Sequence, residues 1–85
     1  MKTSIEISMY PLRDDYASQV LNFLELLNSH PFIKVETNGM STQVFGDFDR
    51  AFKAIQDSIS EVYKSGVKAS FIVKVLPGIV PKFEN

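Results

Sequence analysis

The sequence has no cysteine and a single histidine, and each shortage excludes a class of chemistry. Without cysteine there is no disulfide bond and no thiolate chemistry, and such a chain fits a cytoplasmic location. The one histidine, His30, precedes Pro31 in a predicted loop, where a lone histidine is most often a surface residue. A zinc or copper site therefore lacks ligands, and we expect no bound metal.

Net charge and long apolar runs are also scarce. The 9 basic and 10 acidic side chains nearly cancel, whereas nucleic acid and anionic membranes attract proteins through a basic field, so we expect neither partner. No apolar stretch approaches the roughly 20 residues of a membrane span. Glu6 interrupts the apolar run that a signal peptide would need. The 4 glycines form no phosphate-binding pattern, and no cofactor is expected.

The chain is long enough for one domain, which we place over residues 1–85. Apolar residues alternate with polar ones over four stretches and recur at helical spacing over two others. The predicted elements are strand 3–10, a helix that begins at Asp14 or Asp15 and ends near Asn28, strands 32–37 and 40–45, a helix from Asp47 to Gly66, strand 68–76, and a loose tail.

The order βαββαβ predicts an α+β fold, the ferredoxin-like split βαβ. In this fold a four-stranded antiparallel sheet carries both helices on one face. The helical spacing predicts which residues face that sheet: Ala17, Val20, Leu21, Leu24 and Leu27 or Asn28 in the first helix, and Phe48, Ala51, Phe52, Ile55, Ile59, Val62 and Tyr63 in the second.

The hairpin between the second and third strands is the most informative segment. The two strands are predicted to meet at Asn38-Gly39, a strong signal for a tight two-residue turn. The third strand then begins Met40-Ser41-Thr42, with hydroxyl groups where a structural strand would carry Val or Ile. Hydroxyls both donate and accept hydrogen bonds, which suits a polar ligand. The pattern leaves open whether Ser41 or Thr42 points toward it.

The outer face of the sheet, which the helices do not cover, is predicted to be partly apolar. Tyr10, Phe45, Ile72 and Leu76 would lie there, and together they are too apolar to stay uncovered. A second copy of the chain is the simplest cover, giving a homodimer or homotetramer that associates through its sheets. Polar residues would line a pocket beside or within that interface: Ser8, Tyr10, Glu36, Ser41, Thr42 and Gln43.

Three segments resemble the thiamine-binding, YkoF-like family: residues 5–12 (IEISMYPL), residues 36–42 (ETNGMST), and the turn at Gly46-Asp47. The resemblance covers about residues 4–76. It implies a ferredoxin-like domain that binds thiamine or its hydroxymethylpyrimidine part without catalysis, and that assembles through its sheets. The positions it carries over are Tyr10, Gly39, Met40, Ser41 and Thr42.

The chemistry of these positions agrees with such a ligand. Ser and Thr hydroxyls can pair the ring nitrogens and exocyclic amine of a pyrimidine, and Tyr10 or Phe45 can stack on its flat face. The thiazolium cation is favoured by an aromatic face or by a carboxylate such as Glu36 or Glu6. Simpler roles are an interface aromatic for Tyr10, a solvated charge for Glu36, packing for Met40, and bonding of the turn backbone for the hydroxyls.

Two other functions stay open at this point. One is an ACT-like regulatory module that binds an amino acid, although residues 11–14 lack the glycine expected in its loop. The other is a small enzyme of the dimeric α+β barrel kind, for which Glu6, Glu36 and Tyr10 are the candidate groups. The carboxylate pairs Asp14-Asp15 and Asp47/Asp49 are better explained as helix caps than as acid–base pairs.

Overall fold

The computed structural model describes residues 1–81 and confirms the predicted fold. The elements are strands β1 (Lys2–Pro11), β2 (Ile33–Thr37), β3 (Thr42–Asp47) and β4 (Ala69–Pro77), and helices α1 (Tyr16–Asn28) and α2 (Phe48–Lys64). The strands form one antiparallel sheet in the order β2-β3-β1-β4. Within these residues neither helix is long and apolar enough to cross a membrane.

The core lies between the sheet and the two helices. On β1 the odd-numbered side chains point toward the helices, and Ile5 and Ile7 are buried against Val44 of β3 and the helix residues Phe23 and Leu27. Even-numbered side chains of β1 point to the outer face, as the alternation predicts. Because β4 is an edge strand, its helix-side residue Val73 remains 39% exposed.

The buried stripe of each helix differs from the predicted one. In α1, Phe23 is buried, whereas Leu21 is 61% exposed. In α2 the stripe includes Ala54 and Ser58, whereas Tyr63 is 80% exposed. Ser58 can be buried because its hydroxyl donates to the Ala54 carbonyl at 2.8 Å. Successive residues of a helix are about 100° apart around its axis, and helical spacing alone does not show which of two neighbouring stripes faces the sheet.

The ends of the helices follow the prediction in position but not in every contact. Asp15 precedes α1, yet it makes no capping bond; its carboxylate accepts from Gln19 at 2.9 Å and from Arg13 at 2.7 Å. Asp47 stands at the N-cap of α2 with extended backbone, again without a side-chain cap. Gly66 follows α2 with φ of 87°, the left-handed conformation predicted for a helix-ending glycine.

The hairpin is a four-residue loop, so the predicted two-residue turn is wrong. Thr37 pairs with Thr42, and Asn38 N–H donates to the Ser41 carbonyl at 3.1 Å. The Asn38 side chain accepts from the backbone N–H groups of Met40 (2.8 Å) and Ser41 (3.1 Å). This Asx arrangement satisfies the loop without a left-handed residue, and β3 consequently begins at Thr42, not at Met40.

The chain continues in contact with the sheet after β4. Gly78 N–H donates to the Lys2 carbonyl at 2.8 Å, and the Ser4 hydroxyl donates to the Ile79 carbonyl. Residues 79–81 therefore begin along the outer face near Ser4. The predicted loose tail otherwise falls on residues 82–85, outside the described residues.

Candidate functional site

Strand β1 extends further than its neighbour β3. The pairing of the two strands ends at Ile7 and Thr42, so residues 8–10 of β1 have no strand beside them on that side. The hairpin loop, residues 38–41, stands across this gap. Helix α1 closes the gap from the side of the helices, through Val20 and Phe23.

The gap forms a cleft of about 210 Å³. Its lining combines two of the three segments that carry the family resemblance, residues 5–12 and 36–42, with the first helix: Ile7, Ser8, Met9, Tyr10, Val20, Phe23, Thr37, Asn38, Gly39, Met40, Ser41 and Thr42. The structure therefore brings together six of the predicted site residues, Ser8, Tyr10 and residues 39–42. The volume lies below the about 300–1,000 Å³ of pockets for drug-sized ligands, and it suits a single small ring.

The backbone of Met9 offers a hydrogen-bond donor and an acceptor to this cleft. Phe48 N–H donates to the Met1 carbonyl and Gly78 N–H to the Lys2 carbonyl, both at 2.8 Å. Odd-numbered residues of β1 thus direct their N–H and C=O toward β3, and even-numbered ones toward β4. Met9 is odd-numbered and lies beyond the last β1–β3 pair. Its N–H and C=O consequently face the cleft as an adjacent donor and acceptor.

The two hydroxyl residues of the hairpin point to opposite faces, which answers the question of register. Thr42 is 6% exposed on the helix side, and its hydroxyl lies 3.1 Å from that of Thr37. The hydroxyl of Ser41 turns to the outer face, where it donates to Glu6 Oε2 and accepts from Gln43 Nε2, both at 2.8 Å. The Ser41 hydroxyl is therefore engaged within the protein.

Glu6 anchors this polar cluster. The hydrogen bond from Ser41, together with the Lys74 ammonium at 3.5 Å, holds the pKa of Glu6 below its ordinary value. The side chain is 43% exposed, so water moderates the interaction. The cluster ties the hairpin loop to β1 and β4, which holds one wall of the cleft in place.

The remaining predicted residues lie along the outer face, away from the cleft. Gln43 stands between Glu6 of β1 and Glu36 of β2, and Glu36 pairs with Lys34 at 3.5 Å. Phe45 is only 8% exposed, so it is not an open stacking surface within the described chain. Among residues 1–81, no three His, Cys, Asp or Glu side chains are grouped to hold a metal ion.

The sequence pattern did not identify three parts of the cleft. Helical spacing predicts only that Val20 faces the sheet and does not include Phe23, and the alternation of side chains says nothing of the backbone of Met9. The role of the Met9 backbone depends on where β3 begins. A strand starting at Met40 would have paired with Met9 and removed its N–H and C=O from the cleft.

The model of the YKOF-related family matches residues 2–74 of the chain. The matched stretch contains every lining residue of the cleft. No curated protein matches the chain by sequence.

Several solved structures share the fold. A hypothetical protein from Methanocaldococcus jannascii is 27% identical, with a TM-score of 0.76 over 99% of this chain and 84% of that one. A Streptococcus pneumoniae protein is 17% identical, with a TM-score of 0.80 over 94% and 90% of the two chains. A candidate thiamine biosynthesis/salvage protein from Thermotoga maritima is 15% identical, with a TM-score of 0.77 over 88% and 82%. At 17% and 15% identity, the Streptococcus pneumoniae and Thermotoga maritima structures demonstrate a shared fold alone.

Proposed function

The chain belongs to the YKOF-related family, and from that premise we propose that it binds thiamine, through its hydroxymethylpyrimidine part, without catalysing a reaction. The Thermotoga maritima structure of the same fold is named for thiamine biosynthesis or salvage, which supports a ligand of this class. The observation that carries the proposal is the cleft between the end of β1 and the hairpin.

The Met9 backbone matches the polar edge of an aminopyrimidine. That edge presents an amine, which donates, beside a ring nitrogen, which accepts. The Met9 carbonyl accepts from the amine, and the Met9 N–H donates to the nitrogen. This pairing replaces the expectation that the Ser41 hydroxyl binds the ring, because that hydroxyl already bonds Glu6 and Gln43. Ser41 instead positions the loop.

The apolar part of the cleft suits the ring itself. Val20 and Phe23 form its inner wall, and the Phe23 ring is fixed against Phe71 with centroids 5.1 Å apart. Tyr10 lies at the mouth and is 53% exposed, where its face can cover the ring or the adjoining thiazolium cation. Thiamine would thus place its pyrimidine inside the cleft and its thiazolium outside.

The residue types in the lining support binding over catalysis. Among the described residues that line the cleft there is no Asp, Glu, His, Lys or Arg, and Tyr10 is the one titratable side chain. General acid–base catalysis needs a group whose pKa lies near the working pH and which reaches the substrate. Glu6 and Glu36, the candidates for an enzyme, lie on the outer face and are engaged with Ser41 and Lys34.

Isothermal titration calorimetry with three ligands tests the proposal. We expect hydroxymethylpyrimidine and thiamine to bind and the isolated thiazole to bind far more weakly, because the cleft recognises the pyrimidine. Absence of heat from both pyrimidine ligands at about 1 mM would refute it.

A pair of variants on α1 locates the site. Val20→Phe extends a larger side chain into the cleft and should abolish binding. Leu21→Phe, at the neighbouring position that is 61% exposed, is the matched control and should bind as the wild type does. Equal affinity of the two variants would place the ligand elsewhere.

A further inference from the structure

A second cavity lies where α2 begins, beside the loop that joins α1 to β2. Its volume is about 440 Å³, within the range of about 300–1,000 Å³ that is usual for small-molecule sites. The lining comes from residues 30–32 of the loop and from Asp49, Arg50, Lys53 and Ala54 of α2. The cavity shares no residue with the cleft between β1 and the hairpin, so it is a separate surface of the molecule.

Phe32 presents an aromatic ring at this cavity from a strained backbone. Its φ of 74° lies in the left-handed region, which bulky residues rarely adopt, and such strain persists only where the surroundings impose it. The Phe32 carbonyl oxygen lies close to Gly46, where a Cβ would stand 3.0 Å from it, so glycine makes room for the strained loop. The ring gains little burial in return, because Phe32 is 70% exposed. The core therefore does not account for the position of this ring.

The guanidinium of Arg50 lies over the Phe32 ring, 4.2 Å from the ring centroid. This cation–π contact holds the side chain at the cavity. Among residues 1–81 the guanidinium pairs with no carboxylate and donates no hydrogen bond. A guanidinium has five N–H donors in a rigid planar fork, so Arg50 brings a fixed set of open donors to the cavity.

The other arginine of the chain is satisfied within the protein. Arg13 donates to the Asp15 carboxylate twice, from Nε at 2.7 Å and from Nη2 at 3.1 Å. Asp49 precedes Arg50 in sequence and lines the same cavity, yet the Arg50 guanidinium does not pair with it. The fork of Arg50 is therefore free to receive the same kind of planar acceptor that Arg13 already holds, a carboxylate.

The other charges at the cavity indicate what kind of anion fits. Lys53 shares a helix face with Arg50, because positions three apart are neighbours on a helix. Lys53 pairs with Asp57 at 2.8 Å, and Asp49 lies in the lining. The formal charges of these four side chains cancel, so an anion is attracted by the directed donors of Arg50 and not by a surplus of positive charge. This balance favours a singly charged carboxylate over a phosphate dianion.

We propose that this cavity binds a small carboxylate that carries a flat ring. The carboxylate accepts two parallel hydrogen bonds from Arg50. The ring packs on the apolar part of the lining, which Pro31, Phe32 and the Ala54 methyl group provide, and the exposed Phe32 ring offers it an aromatic partner. This site does not depend on the binding of thiamine, since its residues lie apart from the cleft.

A titration of the isotope-labelled chain with benzoate, followed by NMR, tests the site. We expect benzoate to shift the backbone amide signals of Phe32 and Ala54 and to saturate them with a dissociation constant of about 1 mM. Benzamide has the same ring without the charge, and inorganic phosphate has charge without the ring. Each should bind about tenfold more weakly than benzoate, because each lacks one of the two contacts.

Two substitutions identify the groups that bind. Arg50→Lys keeps the charge but removes the planar fork, and should weaken benzoate binding about tenfold. Arg13→Lys, at the arginine already paired with Asp15, is the matched control and should bind as the wild type does. Phe32→Gly removes the ring, and glycine adopts φ of 74° without strain. This variant should lose benzoate binding while its midpoint of urea denaturation stays level or rises.

Three outcomes would overturn the proposal. The first is benzoate that shifts neither amide signal, or that binds no more tightly than benzamide or phosphate. The second is equal binding of benzoate by Arg50→Lys and Arg13→Lys. The third is a large loss of stability in Phe32→Gly, which would show that the ring serves the fold. None of these outcomes bears on thiamine binding, which the variants at Val20 and Leu21 test separately.

Discussion

Alanine substitution at Gly39 and Gly46 tests the geometry of the hairpin that forms one wall of the cleft. The loop around Gly39 has no positive φ, and a Cβ there meets nothing within 4 Å. Alanine fits without strain and restricts the unfolded chain, so we expect Gly39→Ala to stabilise the protein by about 0.4–1 kcal/mol. A two-residue turn of the type suggested by Asn38-Gly39 would instead need a positive φ at Gly39.

Gly46 is expected to respond in the opposite direction. A Cβ on Gly46 would lie 3.0 Å from the Phe32 carbonyl oxygen and 3.2 Å from Ile33 Cγ2. The oxygen belongs to the backbone at the start of β2, where Phe32 already has φ of 74°, so it cannot move aside cheaply. Overpacking of this kind costs about 1–3 kcal/mol.

Urea denaturation measures both substitutions through the midpoint at constant slope. The predicted difference between the two variants is roughly 1.4–4 kcal/mol. Gly66→Ala calibrates the experiment, because φ of 87° at that position should cost about 1–2 kcal/mol for a residue with a Cβ. If Gly39→Ala loses as much stability as Gly66→Ala, Gly39 requires a left-handed conformation and the four-residue loop is wrong.

Two further predictions follow from the outer-face cluster and from α2. Because the pKa of Glu6 is lowered in the folded chain, its contribution to stability is present above its ordinary pKa and is lost as pH falls through the folded value. In an NMR titration, Ser41→Ala should move the pKa of Glu6 up toward its ordinary value, and the control Ser70→Ala should not. An unchanged pKa in Ser41→Ala would exclude the hydrogen bond as the cause of the lowered pKa. On α2, Ile55 is 4% exposed and Tyr63 is 80% exposed. Chemical denaturation should therefore show that Ile55→Ala lowers the free energy of unfolding by about 2–5 kcal/mol and Tyr63→Ala by about 0.5 kcal/mol or less. Similar losses in the two variants would mean that Tyr63 belongs to the core.

The alternation of side chains was sufficient to predict the sheet. Ile5 and Ile7 on one side of β1 and Glu6 on the other specify a strand with one buried face. Gly66 specified the end of α2 in the same local way, because few other residues adopt its φ. These predictions succeed since each depends on a residue and its immediate neighbours.

The buried stripes of the two helices could not be predicted from local sequence patterns. Leu21 and Tyr63 fit helical periodicity, but they point away from the sheet because the docking of each helix selects another stripe. Phe23 of α1 is buried because it packs against Phe71 of β4, 48 positions further along the chain by their numbers. A short window of sequence does not contain both residues.

The sequence by itself determined the order of elements, the family and two of the segments that line the cleft, because these depend on short-range patterns. Only the tertiary structure decided which groups are available there. The Asn38 side chain closes a longer loop, and β3 starts at Thr42; Met9 therefore keeps an open N–H and C=O, and Ser41 turns toward Glu6. The physical reason is that a backbone group is open or paired according to where the neighbouring strand ends, and that end is set by contacts between distant parts of the chain.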